Sequence, residues 1–250
     1  MPSSPSGRTD LSDPNGGRLD RLIAHPFAHR GLHGSGIVEN SRAAFEAAIA
    51  GGWGIELDVQ ASRDGRAFVF HDYELDRLTP ARGRLAETNA TQLKDVRLRG
   101  TDEAIPSLEE ALALIGGRAA LLIEVKSPGR QVAPLSRAVA DAIRSYEGPV
   151  AVMSFNPEIG RWFARHSPAT LRGLVVTEGG RRWRGSIARY AALWRSRPHF
   201  LAYDIRDLPS RFADRQRARG LKLLTWTCRS DDHRATAALH ADQIIFERQA

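Results

Sequence analysis

One cysteine, Cys228, stands in a chain of 250 residues, so no internal disulfide can form and cysteine usage says nothing about compartment. Long apolar runs are missing too: nothing approaches the roughly 18 consecutive apolar residues of a membrane span. The opening stretch, MPSSPSGRTDLSDPNGGRLD, is polar and rich in Ser, Pro and Gly, without the apolar core of a secretory signal. It reads as most of a loose arm over residues 1–22, on a protein expected to be cytoplasmic and without a stable membrane anchor. Lysine is scarce, with only Lys94, Lys126 and Lys222 present. The net charge of +7 therefore comes almost wholly from arginines spread from end to end. That points to a coding bias and not to a patterned nucleic-acid face. The denser cluster of Arg181, Arg182 and Arg184 around Trp183 reads as a solvated loop ahead of an anion or membrane contact.

An apolar fraction of 42% is ordinary for a globular core and argues against disordered or fibrous classes. The length suits one domain over residues 23–250, and α/β barrels commonly run to this size. Short apolar, β-branched runs alternate with segments of helical period, the pattern of βαβ units around a parallel sheet. Strands are expected at Pro26–His29, Gly54–Gln60, Arg66–His71, Ala119–Val125, Val150–Phe155, Leu171–Val176, Phe200–Asp204, Leu221–Trp226 and Gln243–Phe246. Helices are expected at Ser41–Ala50, Ser107–Ile115, Leu135–Tyr146, Pro157–Arg165, Arg184–Ser196, Pro209–Arg219 and Asp231–His240. Ser107 and Glu110 have capping-box spacing, and Ser41 is placed to cap the first long helix.

Nine strands exceed the eight of a closed (β/α)8 TIM barrel. Asp64-Gly65 is a two-residue hairpin signal between two apolar runs. Such a turn pairs Arg63 with Arg66, and hence Asp58 with His71, and it removes the returning strand from the barrel count. The alternative, His71 on a barrel strand of its own, stays open at this level.

The polar residues fall where a barrel keeps its chemistry, at the C-terminal ends of several strands. His29-Arg30 ends the first strand. Glu56 and Asp58 are an i, i+2 pair on one face of the second, and Glu124 and Lys126 repeat that spacing later. Three carboxylates on one inner rim repel one another when buried, and a cation removes the conflict. An all-oxygen, thiolate-free set suits Mg²⁺ or Ca²⁺ better than zinc. A divalent cation with Arg30 and Lys126 would neutralise a phosphodiester's oxygens, while His29 and His71 would share general acid and general base work.

HRG with Glu39-Asn40-Ser41, then IELDV, D-G with VFHD, IPSLEEAL and IEVK resemble, in order, the motifs of the glycerophosphodiester phosphodiesterase family, whose barrel is related to the phosphatidylinositol-specific phospholipases C. The resemblance is dense over residues 27–126. It is thinner at SFNP (154–157) and LLTWT (223–227). It implies metal ligands at Glu56, Asp58 and Glu124, catalytic histidines at His29 and His71, and phosphate-binding groups at Arg30 and Lys126. It also implies attack of the glycerol 2-hydroxyl on phosphorus, then opening of the cyclic phosphate by water to give glycerol 3-phosphate and an alcohol. The segment from Asp72 to Ala104 is shorter than the family's usual insertion, and IIFERQ, with Glu247, stands where the family often has GIITD.

Several residues keep two readings. Glu39 and Asn40 are helix caps or substrate contacts, with Glu39 carried as a substrate residue. Trp226 and Phe155 are core packing or an apolar pocket wall, and Trp226 is carried with the substrate group. Asp204 binds a glycerol hydroxyl or makes a structural hydrogen bond. The other histidines, His25, His33, His166, His199, His233 and His240, are read as surface or packing residues. The expected partner is a small glycerophosphodiester. A lysophospholipase D-like activity and a non-catalytic barrel binding phosphorylated ligands or anionic membrane are the alternatives, and a nucleic-acid binder ranks below both.

Overall fold

A computed structural model describes residues 16–179 and 184–248 of the chain. Residues 181–183 of the arginine cluster lie outside the described residues. After α1 (Gly16–Leu22) and β1 (Phe27–Ala28) come α2 (Arg42–Ala50), β2 (Gly54–Ala61) and β3 (Ala67–Val69). Next are α3 (Ala90–Leu93), α4 (Leu108–Ile115), β4 (Leu121–Val125), α5 (Ala133–Ala142), β5 (Val150–Ser154) and α6 (Pro157–His166). The chain continues through β6 (Leu171–Val176), α7 (Arg184–Ser196), β7 (Phe200–Asp204), α8 (Arg211–Arg217), β8 (Lys222–Cys228), α9 (Asp231–His240) and β9 (Gln243–Phe246). The parallel order β1-β2-β4-β5-β6-β7-β8-β9 closes because β1 pairs with both β2 and β9. Among the described residues this is a closed eight-stranded parallel barrel.

β3 is the extra strand, antiparallel on β2 alone. The returning-hairpin reading is therefore the correct one, but its register is not the expected one. Val59 pairs with Val69 and Ala61 with Ala67, and the Phe70 amide donates to the Asp58 carbonyl at 3.0 Å. Phe70, and not His71, lies opposite Asp58. The cause is a three-residue loop, 63–65. The Ser62 amide donates to the Arg66 carbonyl, the Ser62 hydroxyl accepts from the Arg66 amide, and Gly65 supplies φ +81°, the geometry of a hairpin with a bulge. One extra loop residue moves the pairing by one and carries His71 past the ladder's end.

Alternation along β2 and β4 separates two cores. Ile55, Leu57 and Val59, with Leu121, Ile123 and Val125, face the surrounding helices. Leu122, Met153, Phe200, Leu224 and Ile245 fill the barrel interior, joined by Leu19, Leu22 and Ile23. The segment read as a loose arm over 1–22 thus includes a helix, α1, whose leucines plug the N-terminal end of the barrel; residues 1–15 lie outside the described residues. Phe68 and Phe70, on the other face of β3 from Ala67 and Val69, nucleate a third cluster with Leu75, Leu85, Leu93, Leu98 and Ile105. That cluster gives segment 72–104 a core of its own. The helix caps fall where expected: Ser41 accepts from the Ala44 amide, and Ser107 and Glu110 form a capping box.

The turn that leaves β1 depends on Gly31. Its φ is +75°, and a Cβ there would meet the Ala44 Cβ at 2.7 Å and the Ala44 carbonyl carbon at 2.9 Å. The contact lets α2 approach the strand end that carries His29 and Arg30. Gly31→Ala combines backbone strain with overpacking, and is expected to cost at least about 2 kcal/mol of stability in urea unfolding.

Candidate active site

Period-two alternation aims Glu56, Asp58 and Gln60 of β2 inward, and Glu124 with Lys126 at the end of β4. Parallel pairing makes Asp58 and Glu124 register partners. As a result, one oxygen from each of Glu56, Asp58 and Glu124 lies within 4.8 Å of the others. Glu56 and Asp58 are each 1% exposed. His29, Arg30, His71, Lys126 and Trp226 line the same cavity of about 260 Å³. A larger groove of about 740 Å³ lies at the opposite end of the barrel, among Arg18, Arg21, Arg144 and Trp162, away from this convergence.

The cluster holds more negative charge than its own cations offset. Lys126 Nζ is 2.9 Å from Glu124 and 3.2 Å from Asp58, and Arg30 Nε is 3.4 Å from Asp58. Glu56 receives the Arg30 backbone N–H at 3.0 Å, and among the described residues the one basic side chain within 4.0 Å of it is the His29 imidazole, at 3.9 Å. Burial, then repulsion from Asp58 and Glu124, pushes the Glu56 carboxyl well above the usual range. Burial and Asp58 also raise Glu124. Asp58 is buried as well, yet Lys126, His71 and Arg30 bring it below the usual value. One carboxylate is kept ionised at the others' cost. A divalent cation offers the missing charge, and the donors are all oxygen.

Each histidine is held from behind by a carboxylate, and each carboxylate by an arginine. His29 Nδ1 is 2.6 Å from Glu247 Oε1, and Arg229 donates to both Glu247 oxygens at 2.6 and 2.8 Å. His71 Nδ1 is 2.7 Å from Asp72, and Arg77 donates to both Asp72 oxygens. Against burial, its bonds to Arg77 and His71 hold the Asp72 carboxyl down at about 2, and His29 and Arg229 hold Glu247 far below the carboxylate range. Ionised carboxylates only accept, so each Nδ1 carries the proton and each neutral ring keeps a lone pair on Nε2. Burial lowers both histidines from their usual value, favouring that neutral form.

Neither Glu39 nor Asn40 caps α2, since Ser41 does so. Asn40 is 1% exposed at φ +55°, and its amide donates to Asp58 at 3.0 Å. Glu39 accepts from Arg30 at 2.8 Å and from Arg77 at 2.7 and 3.1 Å, which links the His71 side of the site to Arg30. Trp226 packs edge-on against Phe155 at 5.6 Å between ring centroids and donates from Nε1 to the Ala202 carbonyl. Phe155 is 45% exposed at the rim. Both oxygens of Asp204 are taken by Arg206. Sequence reasoning passed over Gln60, whose Nε2 lies 2.7–3.1 Å from the carbonyls of Phe70, His71 and Asp72 and steadies the backbone that presents His71. Its signal was the same alternation that found Glu56 and Asp58. Arg77 and Arg229 carried no such signal.

Residues 29–248 match the model of the glycerophosphoryl diester phosphodiesterase family. A glycerophosphodiester phosphodiesterase of Caldanaerobacter subterraneus is 33% identical over 163 residues, 61% of this chain and 67% of its own length. One from Bacillus altitudinis is 40% identical over 107 residues, 40% of this chain and 43% of its own. The chain thus spans between about two fifths and two thirds of the length of these relatives. In fold, it is similar to an Oleispira antarctica phosphodiesterase solved with the product sn-glycerol-3-phosphate, with TM-score 0.77, 24% identity, and coverage of 88% of this chain and 91% of that one.

The depressed Asp72 carboxyl fixes a sign. Its folded value is about 2, below the roughly 3.9 of an unfolded aspartate, so its stabilisation is complete above about pH 4 and fades as pH falls toward 2. Asp72→Asn is therefore expected to unfold at lower urea than wild type at pH 7. The gap should hold down to about pH 4 and narrow below it.

Proposed function

The chain belongs to the glycerophosphoryl diester phosphodiesterase family, and from that premise we propose that it hydrolyses glycerophosphodiesters to glycerol 3-phosphate and an alcohol at this site. The observation that carries the reading is the meeting of two carboxylate-backed histidines with three converging acids, two of them buried, in one cavity. A barrel that only binds phosphorylated ligands has no need of two imidazoles each oriented by a carboxylate beside those acids, an arrangement that serves proton transfer. Among the described residues, no helix is long and apolar enough to cross a membrane. The substrate proposed is the water-soluble diester.

Glu56, Asp58 and Glu124 would hold one divalent cation, Mg²⁺ or Ca²⁺, by the hardness of their oxygens. When bound, it supplies positive charge to the phosphoryl oxygens as charge builds in the transition state. Arg30 and Lys126 bind the same oxygens from the protein side. Glu39 acts by holding Arg30, and Asn40 by orienting Asp58. One neutral imidazole takes the proton of the glycerol 2-hydroxyl at Nε2 as that oxygen attacks phosphorus. The other, protonated, delivers its proton to the departing alcohol oxygen. The two then exchange roles as water opens the cyclic phosphate. Asp72 and Glu247 keep each Nε2 turned to the substrate and stabilise the imidazolium when it forms. Trp226 and Phe155 offer an apolar wall to the glycerol or alcohol group.

The test is release of glycerol 3-phosphate from glycerophosphocholine, abolished by EDTA and restored by Mg²⁺ or Ca²⁺. Turnover of a lysophospholipid without turnover of the soluble diester would move the assignment to a lysophospholipase D. His29→Ala and His71→Ala are each expected to lower kcat by roughly two to four orders of magnitude. Wild-type turnover in either variant removes that residue from the mechanism. Glu56→Gln should instead raise the cation concentration needed for half-maximal rate.

A further inference from the structure

Directly behind His29 lies a second cluster of different chemistry. His29, His33 and Glu247 each offer a ligand atom within 4.8 Å of the others. Glu247 Oε1 is the hub, 2.6 Å from His29 Nδ1 and 4.0 Å from His33 Nε2. His33 Nε2 is buried and has no hydrogen-bond partner among the described residues. The site is therefore left with a donor or acceptor unused, which is costly unless something occupies it. His33 is carried on the turn after Gly31, its amide donating to the Gly31 carbonyl at 2.9 Å, so its backbone is fixed relative to β1.

We infer that His29, His33 and Glu247 form an inhibitory site for a borderline transition-metal cation, with Zn²⁺ as the fitting example. Two imidazoles and one carboxylate are a common three-ligand set for zinc, with solvent in the fourth position. The all-oxygen set of Glu56, Asp58 and Glu124 selects the opposite class of cation. Zn–N and Zn–O distances of about 2.0–2.2 Å place tetrahedral ligands roughly 3.3 Å apart. The 2.6 Å contact must open and the 4.0 Å contact must close, each by less than an ångström, which side-chain rotation supplies. Arg229 keeps its bond to Glu247 Oε2 while Oε1 turns to the metal.

The inhibition follows from proton position, and it rests on His29 being a proton-transfer group in the reaction proposed above. A metal on Nδ1 takes the lone pair that a proton occupies in the carboxylate-bonded form. The ring's one proton moves to Nε2, and no proton is gained or lost overall. Nε2 is then a donor with no lone pair, so it cannot accept the proton of an attacking hydroxyl, and giving up its own would leave an imidazolate. One ring atom thus connects the occupancy of the outer site to the chemistry of the inner one.

The experiment compares wild type with His33→Ala and with His33→Gln, which keeps side-chain bulk while losing the imidazole. Zn²⁺ is titrated into the diesterase assay under saturating Mg²⁺ or Ca²⁺. In parallel, Co²⁺ is titrated into the Mg²⁺- or Ca²⁺-saturated protein without substrate and followed by its visible absorption. Wild type is expected to show a tetrahedral Co²⁺ spectrum and inhibition by low zinc. Both variants should keep their basal turnover, lose the spectrum, and need roughly tenfold or more zinc for half inhibition. Equal zinc sensitivity in all three proteins would overturn the proposal by placing zinc at the three carboxylates. So would a Co²⁺ spectrum that survives in both variants, or none in wild type. Since the cobalt titration needs no turnover, a failed diesterase assignment and a failed metal site give different results.

Discussion

Repulsion among three converging carboxylates, two of them buried and the third partly so, is the constraint around which this end of the barrel is organised. Glu56, Asp58 and Glu124 meet because two neighbouring parallel strands alternate in phase and pair Asp58 with Glu124. Replacing a whole buried charged set by apolar residues of similar volume is often neutral or stabilising, so packing alone does not account for the charges. Around them the protein gathers what it has: Lys126 between two of the acids, the Arg30 guanidinium and amide, and the Asn40 amide held on a strained backbone. These compensate Asp58 and leave Glu56 with a carboxyl that ionises reluctantly. Such partial compensation suits a place where a cation comes and a phosphate follows.

The two histidines solve one problem with unrelated parts of the chain. His71 uses its sequence neighbour Asp72, steadied by Arg77 from segment 72–104, and His29 uses Glu247 from beyond β9, steadied by Arg229. In both, an arginine keeps the carboxylate ionised, the carboxylate keeps the proton on Nδ1, and the lone pair is left on Nε2. Segment 72–104 can hold its side of the arrangement because Phe68 and Phe70 give it an apolar core. The C-terminal stretch holds the other because β9 closes the barrel against β1.

Much of this was legible in residue order. Period-two alternation exposed Glu56, Asp58, Glu124 and Lys126, and the HRG and VFHD stretches located both histidines. Local chemistry carried the helix caps at Ser41 and Ser107 as well. The hairpin register was not legible, because Asp64-Gly65 reads as a two-residue turn until the Ser62 side chain is seen taking the Arg66 amide. Helix α1 is short, and its two buried leucines have meaning only against the barrel floor that covers them. Arg77 and Arg229 reach their carboxylates across loops whose path no local pattern specifies. Glu247 was visible as an acid in the right segment, but its bond to His29 spans most of the chain and had to be seen in three dimensions.

Diffraction from crystals grown with calcium reads the central claim most directly. The account predicts one ion bound by an oxygen from each of Glu56, Asp58 and Glu124, at the roughly 2.3–2.6 Å usual for calcium, with Lys126 no longer lying between Asp58 and Glu124. Density for the cation elsewhere, with the lysine still bridging those two carboxylates, would contradict it.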